Sequence, residues 1–213
     1  TDCMEPGCLR HARPLGSFSA SELEPYLEAG VAIDNGYSLF EIEYVTRPAG
    51  APTRTSLATV AIPFEVDAPA DGFSIVANAH GTVGLDDPCT LTGTVFGSGL
   101  AGLFGARGAI GVATDYPGLG TSGLHPYLVA EVEGAAVLDS LVAAANLAAE
   151  QAVPISERFA VVGLSQGGHA TLAAARMHAA HAPELDIRAF GAAAPATVWL
   201  EHWRGAVAFD YGN

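Results

Sequence analysis

A serine framed by glycines is the residue of this chain best placed to do chemistry. Gly163-Leu164-Ser165-Gln166-Gly167 fits G-x-S-x-G; the apolar run 159–163 before it reads as a strand, and the stretch from Gln166 to about His181 after it reads as a helix. A nucleophile on so sharp a strand-to-helix turn sits at strained backbone angles. Gly163 and Gly167 are needed because a side chain two residues to either side would collide with the neighbouring strand or helix. The helix N-terminus beneath Ser165 favours negative charge, and the N–H of Gln166 becomes half of an oxyanion hole. The chemistry implied is nucleophilic attack on a carbonyl.

A second oxyanion donor is required, and the loop after the apolar segment 73–79 offers it. His80-Gly81-Thr82 follows that segment directly; Gly81 lets the backbone turn toward the site, and the Thr82 N–H is the expected donor. His80 precedes the nucleophile, whereas the base of an elbow-type triad follows it, so His80 is expected to hold the oxyanion loop by hydrogen bonds. His169, one turn into the helix, and His178 and His181 near its end are expected to pack or face solvent. Gly118-Leu119-Gly120-Thr121-Ser122-Gly123 matches G-x-G-x-x-G, but Asp115-Tyr116-Pro117 separates it from its strand, and no strand ending in an acidic residue follows at the required distance. It reads as a structural loop at the rim of the cleft, with Asp115 as a loop organiser. The histidines lack metal-ligand spacing, so neither a metal nor a cofactor is expected.

Several elements must position these residues. A short helix is expected over 19–30, with serines at its start and glycine at its end. The alternating segments 37–47 and 55–66, joined by Pro48-Ala49-Gly50-Ala51-Pro52, predict an antiparallel hairpin. The runs 73–79, 109–114, 159–163 and 187–193 are short and apolar without alternation, as strands of a parallel sheet buried on both faces are. Between them lie helical stretches over 126–150, opened by Pro126, and from Gln166 to about His181. This order predicts a doubly wound, mostly parallel α/β sheet preceded by a hairpin.

At 213 residues, half of them apolar, the chain can bury one sizeable core. Its net charge of −14 comes from few basic residues, which argues against nucleic acid or anionic membranes as partners. No stretch reads as a charge-free membrane span. The chain opens at Thr1 rather than Met, as a processed exported protein would. Cys3, Cys8 and Cys89 allow at most one internal disulfide; Cys3 with Cys8 is the local pairing, Cys89 with either is another, and three reduced thiols are a third state.

A triad built on Ser165 needs an acid and a histidine after it. Asp186 precedes the last strand, His202 comes too early, and no histidine follows Asp210. The expectation is that the C-terminal strands are missing from this chain. A second polypeptide or a cleaved C-terminal region would then supply acid and base. Residues 1–198 are read as the core and 199–213, with Trp199, Trp203 and Phe209, as the start of a cap.

Taken together, the motifs resemble those of the secretory lipase family, which includes the Candida lipase-A-like and bacterial secretory lipases of the α/β-hydrolase superfamily. The resemblance rests on Gly36-Tyr37 with Ile42-Glu43-Tyr44-Val45-Thr46, and on Ala79-His80-Gly81-Thr82 with Cys89. It rests also on Thr114-Asp115-Tyr116-Pro117-Gly118-Leu119-Gly120-Thr121 with His125-Pro126-Tyr127, and on Gly163-Leu164-Ser165-Gln166-Gly167-Gly168-His169-Ala170. It implies an extracellular, cofactor-free lipase or carboxylesterase with Ser165 as nucleophile and Thr82 and Gln166 as oxyanion donors, acting on ester or lipid substrates. A serine peptidase or acyltransferase on the same fold, or a non-catalytic binding subunit that keeps the hydrolase shell, are the alternatives.

Overall fold

Two kinds of strand, told apart by their patterning, take two kinds of place in the computed structural model, which describes residues 3–24, 32–198 and 201. The alternating segments form β2 (Gly36–Thr46) and β3 (Arg54–Phe64), antiparallel in unbroken register from Gly36 opposite Phe64 to Thr46 opposite Arg54. The unalternating runs form β4 (Phe73–Ala79), β5 (Ile110–Thr114), β6 (Ile155–Leu164) and β7 (Asp186–Ala193). These lie parallel in the order β5-β4-β6-β7. Antiparallel pairing of β3 with β5 joins the two halves into one sheet.

A further strand precedes the expected hairpin. Leu9–Phe18 forms β1, antiparallel to β2, which makes the seven-stranded order β1-β2-β3-β5-β4-β6-β7. Its register shifts near Pro14 and Gly16 and its exposed arginines are what an edge strand tolerates, and they hide it from an alternation test. At the other side β7 is the outermost described strand, and Arg188, Ala189 and Gly191 on it are exposed.

Alternation within the strands divides the core in two. Ala58, Val60, Ile62, Ile110 and Val112 face one way and pack with Leu138, Leu141 and Leu147 of α3 (Ala130–Glu150) and with Ala170 and Ala174 of α4 (Gln166–His181). Ala61 and Ala113 face the other way, toward α2 (Val95–Gly105). Burying each of the larger side chains contributes about 1.5–3 kcal/mol, so both faces need their helices. Gly134 lets α3 and α4 come close: a Cβ there would lie 2.7 Å from Met177 Sδ and 2.9 Å from the Ala174 nitrogen. By length and composition α3 could cross a membrane, but most of it is buried inside the fold, as the core helix of a folded domain is.

The helices bring corrections. α2 is a helix in a segment where none was expected, because four of its eleven residues are glycine. Tertiary contact explains two of them: a Cβ at Gly102 would strike the Tyr37 ring and one at Gly105 the Ala61 methyl. α3 begins at Ala130, so Pro126 does not open it; Leu128 takes φ 58° and breaks the helical path. α1 covers Ala20–Leu23 with Ser19 as N-cap in a capping box with Glu22, and the rest of the expected helix, 25–30, lies outside the described residues. Of the expected cap segment only Glu201 is described, so Trp199, His202, Trp203, Phe209 and Asp210 lie outside as well. Of the pairings left open, Cys3 with Cys8 is the one formed, and Cys89 is a free, half-buried thiol.

Candidate active site

β6 ends at Leu164, α4 begins at Gln166, and Ser165 alone makes the turn between them, at φ 58° and ψ −116°. A non-glycine residue held there costs on the order of 1–3 kcal/mol. Two backbone bonds hold it: Ser165 N donates to the Ala193 carbonyl at 2.9 Å, and His169 N donates to the Ser165 carbonyl at 3.0 Å. A Cβ on Gly163 would run into the Gly167 carbonyl, and one on Gly167 would run into the Ala79 carbonyl. The expected steric reason for both glycines is therefore present. Ser165 is exposed, and its hydroxyl makes no hydrogen bond to another described residue.

The His80-Gly81-Thr82 loop passes beside this turn. A Cβ on Gly81 would lie 3.8 Å from the Ser165 Cβ and 3.4 Å from the Leu164 carbonyl oxygen. His80 is buried and is turned into the loop. Its Nδ1 donates to the Gly81 carbonyl at 2.7 Å, its Nε2 lies 3.3 Å from Asp115 Oδ1, and its own carbonyl accepts from the Tyr116 hydroxyl at 2.9 Å. Asp115 organises the neighbouring loop, accepting from Thr90 Oγ1 at 2.6 Å and from the N–H groups of Leu91 and Thr92 at 2.9 Å each. Burial acts most strongly on the Asp115 carboxyl and disfavours its charge, yet His80 and the hydrogen bonds from Leu91 and Thr90 together hold it below the ordinary aspartate value. Thr82 is exposed, and its Oγ1 lies 2.8 Å from the Tyr127 hydroxyl.

Beneath the turn lies a buried polar cluster that the motif reading did not include. Glu133 is fully buried on α3. Its Oε1 accepts from Gln166 Nε2 at 2.8 Å and from Leu128 N at 2.8 Å, and its Oε2 lies 2.8 Å from His169 Nδ1. The Gln166 amide also meets His125 Nε2 at 2.8 Å, and the His125 ring stacks on Tyr116 at 5.6 Å between centroids. Desolvation lowers the His125 pKa against the opposing pull of Glu133. His169 is thus half-buried and tied to a buried carboxyl. His181 is similar, pairing with buried Asp139 at 2.7 Å, while His178 Nε2 meets the Leu185 carbonyl at 2.7 Å. A sequence signal for Glu133 existed. It falls on the same helical face as Val137 and Ser140, one turn and two turns on, where a charged residue has no reason to be unless it is paired.

The Gly118–Gly123 segment is a turn-rich loop in which Gly118, Gly120 and Gly123 all take positive φ and Gly118 N donates to Thr121 Oγ1 at 2.9 Å. Among the described residues the next strand after it, β6, ends in Leu164 and not in an acidic residue. Among the described residues no group of three or more His, Cys, Asp or Glu side chains is arranged to hold a metal ion.

Known proteins resemble this chain in part of its sequence and in its fold. The secretory lipase family model matches residues 101–199. Lipase A of Moesziomyces aphidis is 28% identical over 164 residues, which cover 72% of this chain and 34% of that protein. The rice cell wall degrading esterase LipA from Xanthomonas oryzae superposes with a TM-score of 0.71 at 22% identity, covering 86% of this chain and 49% of that one. Candida antarctica lipase A does so with a TM-score of 0.58 at 22% identity, covering 86% and 41%. The chain therefore spans about a third of the length of that curated relative and no more than half of these solved structures. Together, these matches show that residues 101–199 resemble the secretory lipase family and that the sheet carrying them has the α/β fold of these esterases and lipases.

Proposed function

We propose that this chain carries the nucleophilic half of a secreted serine ester hydrolase, a lipase or carboxylesterase, with Ser165 as nucleophile. The observation that carries the reading is the exposed Ser165 at a strained strand-to-helix turn, with the Gly81-Thr82 loop against it and the N-terminus of α4 beneath it. In the proposed reaction a histidine takes the Ser165 hydroxyl proton as Oγ bonds to the ester carbonyl carbon, and the carbonyl oxygen becomes an oxyanion held by the Thr82 and Gln166 N–H groups. The C–O bond to the alcohol then breaks, and the alcohol leaves with the proton from histidine. Water, losing a proton to the same histidine, attacks the acyl-serine and releases the acid.

The base is proposed to come from outside the described residues, from a C-terminal region or a second polypeptide. What supports this is that His80, His125, His169, His178 and His181 are each engaged elsewhere, at Gly81, Gln166, Glu133, Leu185 and Asp139. The exposed outer strand β7 offers an edge to which further strands can add. Export fits the Cys3–Cys8 disulfide and the family's secretory character.

Fluorophosphonate labelling of the active protein, with the adduct located by peptide mass spectrometry, tests the assignment together with Ser165→Ala. The expected result is an adduct on Ser165 and a loss of p-nitrophenyl ester turnover of at least about a thousandfold in the folded variant. Undiminished hydrolysis by folded Ser165→Ala would refute it.

A further inference from the structure

The two proposed oxyanion donors belong to different elements, Thr82 to the loop after β4 and Gln166 to the first turn of α4. Hydrogen bonds to an oxyanion work only when both donors stand about 2.7–3.1 Å from the place the oxygen will occupy. Something must therefore fix the spacing of the two elements, and one short segment touches both. The Tyr127 hydroxyl lies 2.8 Å from Thr82 Oγ1, and His125 Nε2 lies 2.8 Å from the Gln166 amide nitrogen.

That segment is itself held at both ends. Behind it, Gly118 packs so closely on Leu124 and His125 that a Cβ there would overlap them, and Tyr127 N donates to the His125 carbonyl at 2.9 Å. Ahead of it, Leu128 takes positive φ and gives its N–H to Glu133, the same carboxyl that accepts from Gln166. On its inner side the His125 ring stacks against Tyr116, whose hydroxyl holds the His80 carbonyl at the start of the oxyanion loop. Thr82, by contrast, is exposed, and its side chain has Tyr127 as its hydrogen-bond partner among the described residues.

We infer that residues 125–128 form a strut that sets the oxyanion hole, and that Tyr127 is a positioning residue acting on the reaction through Thr82. This rests on the reading of Ser165 as an ester-hydrolysing nucleophile. Tyr127 does not touch the reacting atoms. Its hydroxyl limits the motion of the Thr82 side chain and so of the N–H on the same residue. Binding of the ester ground state needs no such limit, so the effect falls on the chemical step.

The test compares Tyr127→Phe, Thr82→Val and the double variant with the unaltered active protein on p-nitrophenyl butyrate, with Ser165→Ala as a reference. Thr82→Val removes the hydroxyl that Tyr127 holds but keeps the backbone N–H. Tyr127 is 39% exposed, so Tyr127→Phe is expected to fold normally, which its melting temperature checks. The expected result is a three- to tenfold lower kcat at unchanged KM, the size that losing one ordinary hydrogen bond gives. Inhibition by phenylboronic acid, whose serine adduct is tetrahedral, should weaken by the same factor. The double variant should be no slower than Thr82→Val alone, because both changes break one link. An unchanged kcat, a rise in KM in place of the fall in kcat, additive losses in the double variant, or a loss that only follows a lowered melting temperature would each overturn the inference. If Ser165→Ala keeps turnover, the ester hydrolase reading falls first and takes this one with it; if Ser165→Ala is inactive while Tyr127→Phe is normal, the strut alone is wrong.

Discussion

Glu133→Ala should destabilise the fold more than any surface change, and the structure supplies the magnitude. The Glu133 carboxyl is fully buried and engages three groups at 2.8 Å each: the Leu128 N–H, the Gln166 amide and His169 Nδ1. Truncation removes this partner from all three, although the Gln166 amide keeps His125, and each buried group left unpaired costs about 1–3 kcal/mol. Because Leu128 and His169 are only half-buried, water can reach part of what is lost, and a total of roughly 3–5 kcal/mol is expected. For a domain of this size that is a fall in melting temperature of about 10–15 °C. Glu133→Gln keeps the shape and one acceptor oxygen and should cost about 1–2 kcal/mol. Differential scanning calorimetry on both variants, with urea unfolding to check that the m-value is unchanged, measures the series. Melting temperatures within a degree of the parent for Glu133→Ala, or a Gln variant less stable than the Ala variant, would refute the claim that this carboxyl clamps α3 to the start of α4.

Two other outcomes follow from the same packing. Gly167→Ala drives a Cβ into the Ala79 carbonyl and should lower the yield of soluble protein sharply, whereas Gly99→Ala, on α2 with open space around its Cβ, should leave the yield intact and stabilise by up to about 1 kcal/mol; equal yields would remove the steric reason for the glycine at 167. His181 has its pKa raised, chiefly by its hydrogen bond to Asp139, so its stabilising contribution is complete below about pH 6.5 and is lost as pH rises through the raised folded-state value. Unfolding free energies of the parent and of His181→Gln, followed from pH 5.5 to 9, should therefore converge as pH rises, and a gap that widens would contradict the pairing.

How much of this was legible depended on whether a feature was local. Strand β4 and helix α4 fall where the apolar run 73–79 and the stretch after Ser165 placed them, since burial on both faces of a parallel strand and a nucleophile turn each leave a contiguous mark in the chain. β1 was missed because Arg10, Arg13, Pro14 and Gly16 interrupt any alternation; an edge strand with polar company does not need one. α2 was missed because its glycines lower helix propensity, and the purpose of two of them, clearance for Tyr37 and Ala61, lies more than thirty residues earlier in the chain. The Glu133 cluster was missed for the same kind of reason. Its members His125, Glu133 and Gln166 come together only through tertiary packing, Gln166 lying 41 residues from His125 and 33 from Glu133.

The strand order also governs the sequence in which a growing chain can complete the sheet. β1, β2 and β3 are neighbours in space as in sequence, and their meander can close as soon as Phe64 is available. β4 cannot join so early, because both of its partners, β5 and β6, are synthesised after it. Between the appearance of Phe73 and that of Leu164 its apolar length has no completed place in the fold, and this interval of exposed, unpaired strand is when the nascent chain most needs protection from its neighbours. The residue that ends the wait stands directly before Ser165, so the turn that carries the nucleophile is also the point at which the centre of the sheet is sealed.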